Sequence, residues 1–211
     1  MASTDWDAWH DDYADPTSQL AQRLRVVRRA IEKHLDSSAP RDVRVVSACA
    51  GDGRDLLQVL ERRDDADRVS ATLIEADPRN AARAEQHVRR AGLANIEVRC
   101  TDAGVESAYA GAVPADLVLL CGIFGNISDA DVHRTVAAIP RLCAPQATVV
   151  WTRHREEPDL TPRIRGWMAS VSCEEQEFVA PDHGVWSVGV HGFRGQTQPL
   201  EADRVLFTFV R

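Results

Sequence analysis

At 211 residues the chain has room for one sizeable hydrophobic core and is short for two. Its 44% hydrophobic and 27% charged content argues against a membrane protein, and no run approaches the ~18 apolar residues of a membrane span. A net charge of −7 disfavours broad nucleic-acid binding, because that affinity is mostly phosphate neutralisation by Lys and Arg.

The chain opens on Met1-Ala2-Ser3-Thr4-Asp5-Trp6-Asp7, acidic and without an apolar centre, which predicts no signal peptide and a cytoplasmic protein. Trp6 to Tyr13 is too polar for core and too aromatic for a disordered tail. Asp15-Pro16 predicts a helix start, with the acid as cap and proline in the first turn. Leu20, Leu24, Val27, Ile31 and Leu35 then form one apolar stripe, and Ser37-Ser38-Ala39-Pro40 ends the helix. Arg23, Arg25, Arg28 and Arg29 read as its solvated face.

From residue 43 strands and helices alternate. Val43 to Cys49 reads as a buried strand, followed by a glycine turn and a helix carrying Leu56, Leu57, Val59 and Leu60. Val69 to Ile74 is a second strand ending at Glu75. Asp77-Pro78 then caps an Ala-rich helix that stops at Gly92. Ile96 to Cys100 and Leu117 to Cys121 are the third and fourth strands, the latter a continuous Leu/Val run suited to burial on both faces. Ser128 begins a helix that Pro140 ends or kinks, Thr148 to Trp151 is a fifth strand, and a helix follows from about Thr161 to Ser172. Gln176–Val179, Val185–Val190 and Val205–Val210 are strand-like with no helix between them. This order predicts a doubly wound, mostly parallel α/β sheet with an antiparallel C-terminal edge.

Ligands of such sheets bind outside the carboxyl ends of the strands, where strand order reverses. There the sequence puts Ala48-Cys49-Ala50-Gly51-Asp52-Gly53, small residues that let backbone turn sharply and approach a ligand. Glu75, at the end of the second strand, can accept both hydroxyl hydrogens of a ribose. Asp102, after the third strand, is placed to meet an adenine amino group, and Cys121-Gly122-Ile123-Phe124-Gly125-Asn126 forms a further close-approach loop. The five cysteines (Cys49, Cys100, Cys121, Cys143, Cys173) are odd in number and contain no Cys-x-x-Cys pair, so neither a disulfide framework nor a metal site is expected.

Over roughly residues 43–155 this ordered set resembles the Rossmann-like S-adenosylmethionine-dependent methyltransferases. Val45 to Gly53 resembles the family's first motif, Ala115 to Cys121 its fourth, and Leu142 to Ala147 the turn before its fifth strand, with Pro-Gln in place of two glycines. The resemblance implies a seven-stranded, three-layer αβα fold with an N-terminal helical lid (residues 1–40), a cofactor core (43–155) and a strand-rich part (156–211) within one domain. It implies S-adenosylmethionine as cofactor, S-adenosylhomocysteine as product, and contacts from Ala48, Cys49, Ala50, Gly51, Asp52, Gly53, Glu75, Ala76, Asp102, Ala103, Cys121, Gly122, Ile123 and Tyr13. Ser47 stands where the family has an acid that orients the methionine ammonium, and Cys49 where it has a glycine. Backbone carbonyls, Asp52 or an N-terminal residue must then hold the ammonium.

A nicotinamide dinucleotide is disfavoured: Leu56 occupies the place of the third glycine of that fingerprint, and Asp52 would face a pyrophosphate. For methyl transfer by in-line displacement, His154 after the fifth strand is the leading candidate base, with His10, Tyr13, His183 and His191 behind it. His34 and His87 have no functional case. Thr152-Arg153-His154 lacks the Asp-Asn pair of metal-dependent catechol enzymes, and Cys121-Gly122-Ile123-Phe124 lacks the Pro-Pro-aromatic grip of base N-methylation. A small-molecule O, N or C nucleophile is the expected acceptor, with no nucleic-acid or membrane partner and a monomer or homodimer. The competing reading is a non-catalytic, methyltransferase-like S-adenosylmethionine-binding protein.

Overall fold

The computed structural model describes Asp15, residues 17–201 and residues 203–210. The first described helix is α1 (Gln19–Ser38). Ser18, rather than Asp15, is its N-cap, with Oγ accepting the Ala21 N–H at 3.0 Å. Asp15 instead accepts from Thr17 N–H and O–H, closing a local turn one step earlier.

Strand β1 (Val43–Ala48) leads into the glycine turn and a single-turn helix α2 (Leu57–Leu60). Strand β2 (Val69–Glu75) is followed by α3 (Pro78–Ala91), whose Asp77 cap and left-handed Gly92 stop match expectation. Next come β3 (Ile96–Cys100), β4 (Ala115–Leu120) and α4 (Asp129–Leu142), capped by Ser128 and with Pro140 inside its last turn. β5 (Cys143–His154) is far longer than the predicted Thr148–Trp151. It starts directly from α4, and Pro145-Gln146 lies in an irregularity of its pairing with β4, with Gln146 at φ +66°. α5 (Thr161–Ser170), β6 (Cys173–Val179) and β7 (Trp186–Phe193) complete the order.

The seven strands are arranged β3-β2-β1-β4-β5-β7-β6, parallel as far as β5, with β7 antiparallel to both β5 and β6. Side chains alternate across the sheet, so two apolar layers form. Val43 and Val45 pack with Val27, Ile31 and Leu35 of α1 and with Leu57 and Leu60 of α2. Val46 and Ala48 face the layer holding Val132, Val136 and Ile139 of α4 and Ile164 and Met168 of α5.

One predicted strand is absent. Val205–Val210 makes only isolated bridges, Val205 to Val105 and Ile127 to Phe209, in place of a ladder. Its hydrogen bonds go to loops: Leu206 N–H to the Gly104 carbonyl (2.7 Å) and Val210 N–H to the Asn126 carbonyl (2.9 Å). A run of alternating apolar residues satisfies its backbone this way as well as in a sheet.

Candidate functional site

Strand order reverses at β1, which has β2 on one side and β4 on the other, and a cavity of about 360 Å³ opens at the carboxyl ends there. That volume lies within the range of small-molecule sites. Cys49, Ala50, Gly51, Asp52, Glu75, Ala76, Asp102, Ala103, Cys121 and Gly122 all line it. Ala48, Gly53 and Ile123 lie behind the wall, each buried, and Tyr13 falls outside the described residues, as does His10.

The turn after β1 is held by its conformation and by Glu75. Cys49, Gly51 and Gly53 have φ of 52°, 59° and 72°. Cys49 thus adopts the left-handed backbone that the resemblance assigns to glycine. At Gly53 a Cβ would also lie 2.5 Å from Leu73 Cδ2 and 2.8 Å from Leu57 Cδ1, so the turn sits tight against β2 and α2.

Glu75, 9% exposed, accepts the Gly51 N–H on Oε2 (2.7 Å) and the Asp77 N–H on Oε1 (2.8 Å). These two bonds aim its carboxylate across the gap between β1 and β2. Each oxygen retains acceptor capacity toward the cavity. Asp102 is fixed likewise, with Oδ1 accepting the Gly104 N–H at 2.7 Å. Beneath it the buried Tyr109 donates its hydroxyl to the Ala103 carbonyl (2.8 Å).

On the β4 side, Thr152 Oγ1 accepts the Gly122 N–H (2.8 Å), and Asn126 Nδ2 donates to the Gly122 carbonyl (2.8 Å). Gly122 has φ +76°. Burial pushes both cavity thiols, Cys49 and Cys121, far above the ordinary range, so they stay neutral and contribute polarisable apolar surface.

His154 does not line the cavity; Thr152, two residues earlier on β5, does. His154 is the last residue of β5, its ring against Gly125, where a Cβ would meet His154 Cδ2 at 2.8 Å, and its Nδ1 lies 3.9 Å from Glu156. His183 and the 1%-exposed His191 are likewise absent from the lining; His191 Nδ1 accepts from Trp151 Nε1 at 3.3 Å inside the fold. His34 is buried and bonded through Nδ1 to Thr148 Oγ1 (2.9 Å). Among the described residues no three His, Cys, Asp or Glu side chains are placed to hold a metal. No helix among them is long and apolar enough to cross a membrane.

Several lining residues escaped the sequence reading. Arg23, Leu24 and Val27 come from α1, so the arginine run is not wholly a solvated face. Arg28 also turns inward, donating from Nε and Nη2 to the Arg54 carbonyl. Asp55 follows the glycine turn, and its signal was only its nearness to that turn. Phe209 arrives from the C-terminal tail, which no local pattern would bring here.

Comparisons with known proteins agree with this geometry. A family model described as "Putative methyltransferase" matches residues 19–169. No curated protein matches the sequence. Magnesium protoporphyrin IX methyltransferase of Synechocystis PCC 6803, solved with bound S-adenosylmethionine, is similar over 90% of this chain and 92% of its own, at 10% identity and a TM-score of 0.65. A TehB-like S-adenosylmethionine-dependent methyltransferase of Corynebacterium glutamicum is similar over 90% and 96%, at 15% identity and 0.62. The cyclase SpnF is similar over 82% and 81%, at 12% identity and 0.62. At such identities the likeness is one of fold.

Proposed function

The chain belongs to the methyltransferase family whose model spans residues 19–169, and from that premise we propose that it transfers a methyl group from S-adenosylmethionine to a small-molecule O, N or C nucleophile. One observation carries the cofactor assignment. Two acceptor-only carboxylates, Glu75 and Asp102, are pinned by backbone N–H groups at the mouth of a cavity with a largely apolar wall. A nucleoside fits such a lining, because its ribose hydroxyls and adenine amino group are donors while its base is flat and apolar.

When bound, S-adenosylmethionine supplies an activated methyl group on its sulfonium. The protein's share is orientation and exclusion of water. Glu75 takes the ribose hydroxyls, Asp102 and the Ala103 backbone face the adenine, and Gly51 allows close approach of the turn. Gly122, fixed by Thr152 and Asn126, shapes the wall toward the acceptor. His154, outside the cavity lining with its ring against Gly125, is assigned the proton of the nucleophile, and that role requires an acceptor that extends from the cavity toward this loop. The net charge of −7 favours a small acceptor over a nucleic acid.

Calorimetric titration of the purified protein with S-adenosylmethionine and S-adenosylhomocysteine tests the first step, and saturable binding of both is expected. Absence of heat and of thermal stabilisation at millimolar ligand sinks the assignment. For the second step, His154→Ala is expected to keep cofactor binding and lose release of S-adenosylhomocysteine in the presence of an acceptor. Full turnover by that variant removes the histidine from the chemistry.

A further inference from the structure

The position where the family resemblance expects an acid is filled by Ser47, and the fold gives it no route to the ligand. Ser47 is 2% exposed, paired with Leu73 on β2 and Leu119 on β4, and shares the α1-facing side of β1 with Val43 and Val45. It does not line the cavity. Asp52 does, but its carboxylate is committed to its neighbour: both oxygens take the Arg54 guanidinium at 2.6–3.1 Å, and Oδ1 also takes the Arg54 N–H.

Asp55 is different. It lines the same cavity, is 9% exposed, and Oδ1 accepts the Leu56 N–H at 2.8 Å. Among the described residues its carboxylate takes backbone N–H groups, those of Leu56 and of Asp55 itself, and no guanidinium forms an ion pair with it. Arg28, the cation that acts on it through space, gives its donors to the Arg54 carbonyl. Burial above all pushes the Asp55 carboxyl up from its ordinary range, with Asp52 adding to the rise. An acid in that condition is a site for an arriving cation, since a partner relieves the cost of burying the charge.

The cavity's charged lining comes from different parts of the chain: Glu75 ends β2 and Asp102 follows β3, whereas Arg23 comes from α1 and Asp55 from the turn after β1. The opposite charges of Arg23 and Asp55 suit a zwitterion. Resting on the cofactor reading above, we propose that Asp55 takes the place of the missing acid and binds the α-ammonium of the methionine moiety, with Arg23 facing its carboxylate.

The test compares S-adenosylhomocysteine with 5′-methylthioadenosine, the same nucleoside thioether without the amino-acid group. Asp55→Asn keeps an acceptor for the Leu56 N–H, so the fold is retained, as a native melting temperature would verify. The expected result is S-adenosylhomocysteine binding weakened by about tenfold or more, with 5′-methylthioadenosine binding unchanged. Glu75→Gln, on the nucleoside side, is expected to weaken both. Unchanged S-adenosylhomocysteine binding by Asp55→Asn overturns the proposal while leaving the cofactor reading intact, and so does equal weakening of both ligands. Native protein that binds neither ligand overturns the cofactor reading and this assignment with it.

Discussion

The two halves of the sheet build the cavity by different means. On the β1–β3 side most placements are short-range: Glu75 holds Asp77 and Asp102 holds Gly104, each two residues on, and the turn residues hold themselves in left-handed backbone. Only the Glu75–Gly51 bond crosses to the neighbouring strand's turn. On the β4–β7 side the placements cross long stretches of chain. Thr152 bonds Gly122, and the tail reaches Phe209 by way of the loops after β3 and β4. A local site persists while its own turn is formed, whereas a long-range one depends on the whole fold around it.

The sharpest way to break the second half is at Glu106. This fully buried acid bonds Arg141 Nε at 2.8 Å and the Glu201 N–H at 2.7 Å, tying the tail to α4. Glu106→Ala leaves Arg141 buried without that partner and is expected to cost about 3–5 kcal/mol in urea unfolding.

Acid should strike the same half next. His34, bonded to β5, and His191, on β7, are both held by burial near pKa 4, below the ordinary 6.5. As pH falls the unfolded chain takes up these protons first. Stability is therefore complete above pH 6.5 and is lost between 6.5 and about 4, on the order of 3 kcal/mol for each histidine. Unfolding midpoints measured from pH 7 to 4 would show the slope, and a His34→Gln, His191→Gln double variant should flatten it.

In the first half, Glu75→Ala is expected to weaken S-adenosylhomocysteine binding by about 1.5–3 kcal/mol in calorimetry, the scale of hydrogen bonds to a charged group. An unchanged dissociation constant removes Glu75 from the site. The smallest effect belongs to Phe209, whose ring stands edge-on to Phe207 at 5.6 Å. Phe209→Ala should lower stability by about 0.5–1.5 kcal/mol in the same urea series.

Where residues interact with near neighbours, the sequence was legible. Asp77 caps the helix that Pro78 begins, Gly92 stops it, and Gly51, Glu75 and Asp102 mark strand exits because small or acidic residues there have few other uses. Asp15 was misread as a cap because it and Ser18 carry the same chemistry, and only the backbone path selects between them. Cys49 hid a left-handed turn behind a residue that disfavours one. Pro145-Gln146 concealed an irregular early stretch of β5, so that strand was predicted too short.

The sequence by itself determined the α/β alternation, the antiparallel edge and the run of small and acidic residues along one rim, since periodicity and caps act within a few residues. Tertiary structure decided the rest. It turned Ser47 into the core, gave Asp52 to Arg54, left Asp55 facing the cavity and carried Phe209 across two loops. The physical reason is that a side chain's partner can lie a hundred residues away, and no local pattern encodes which carboxylate a distant cation will neutralise.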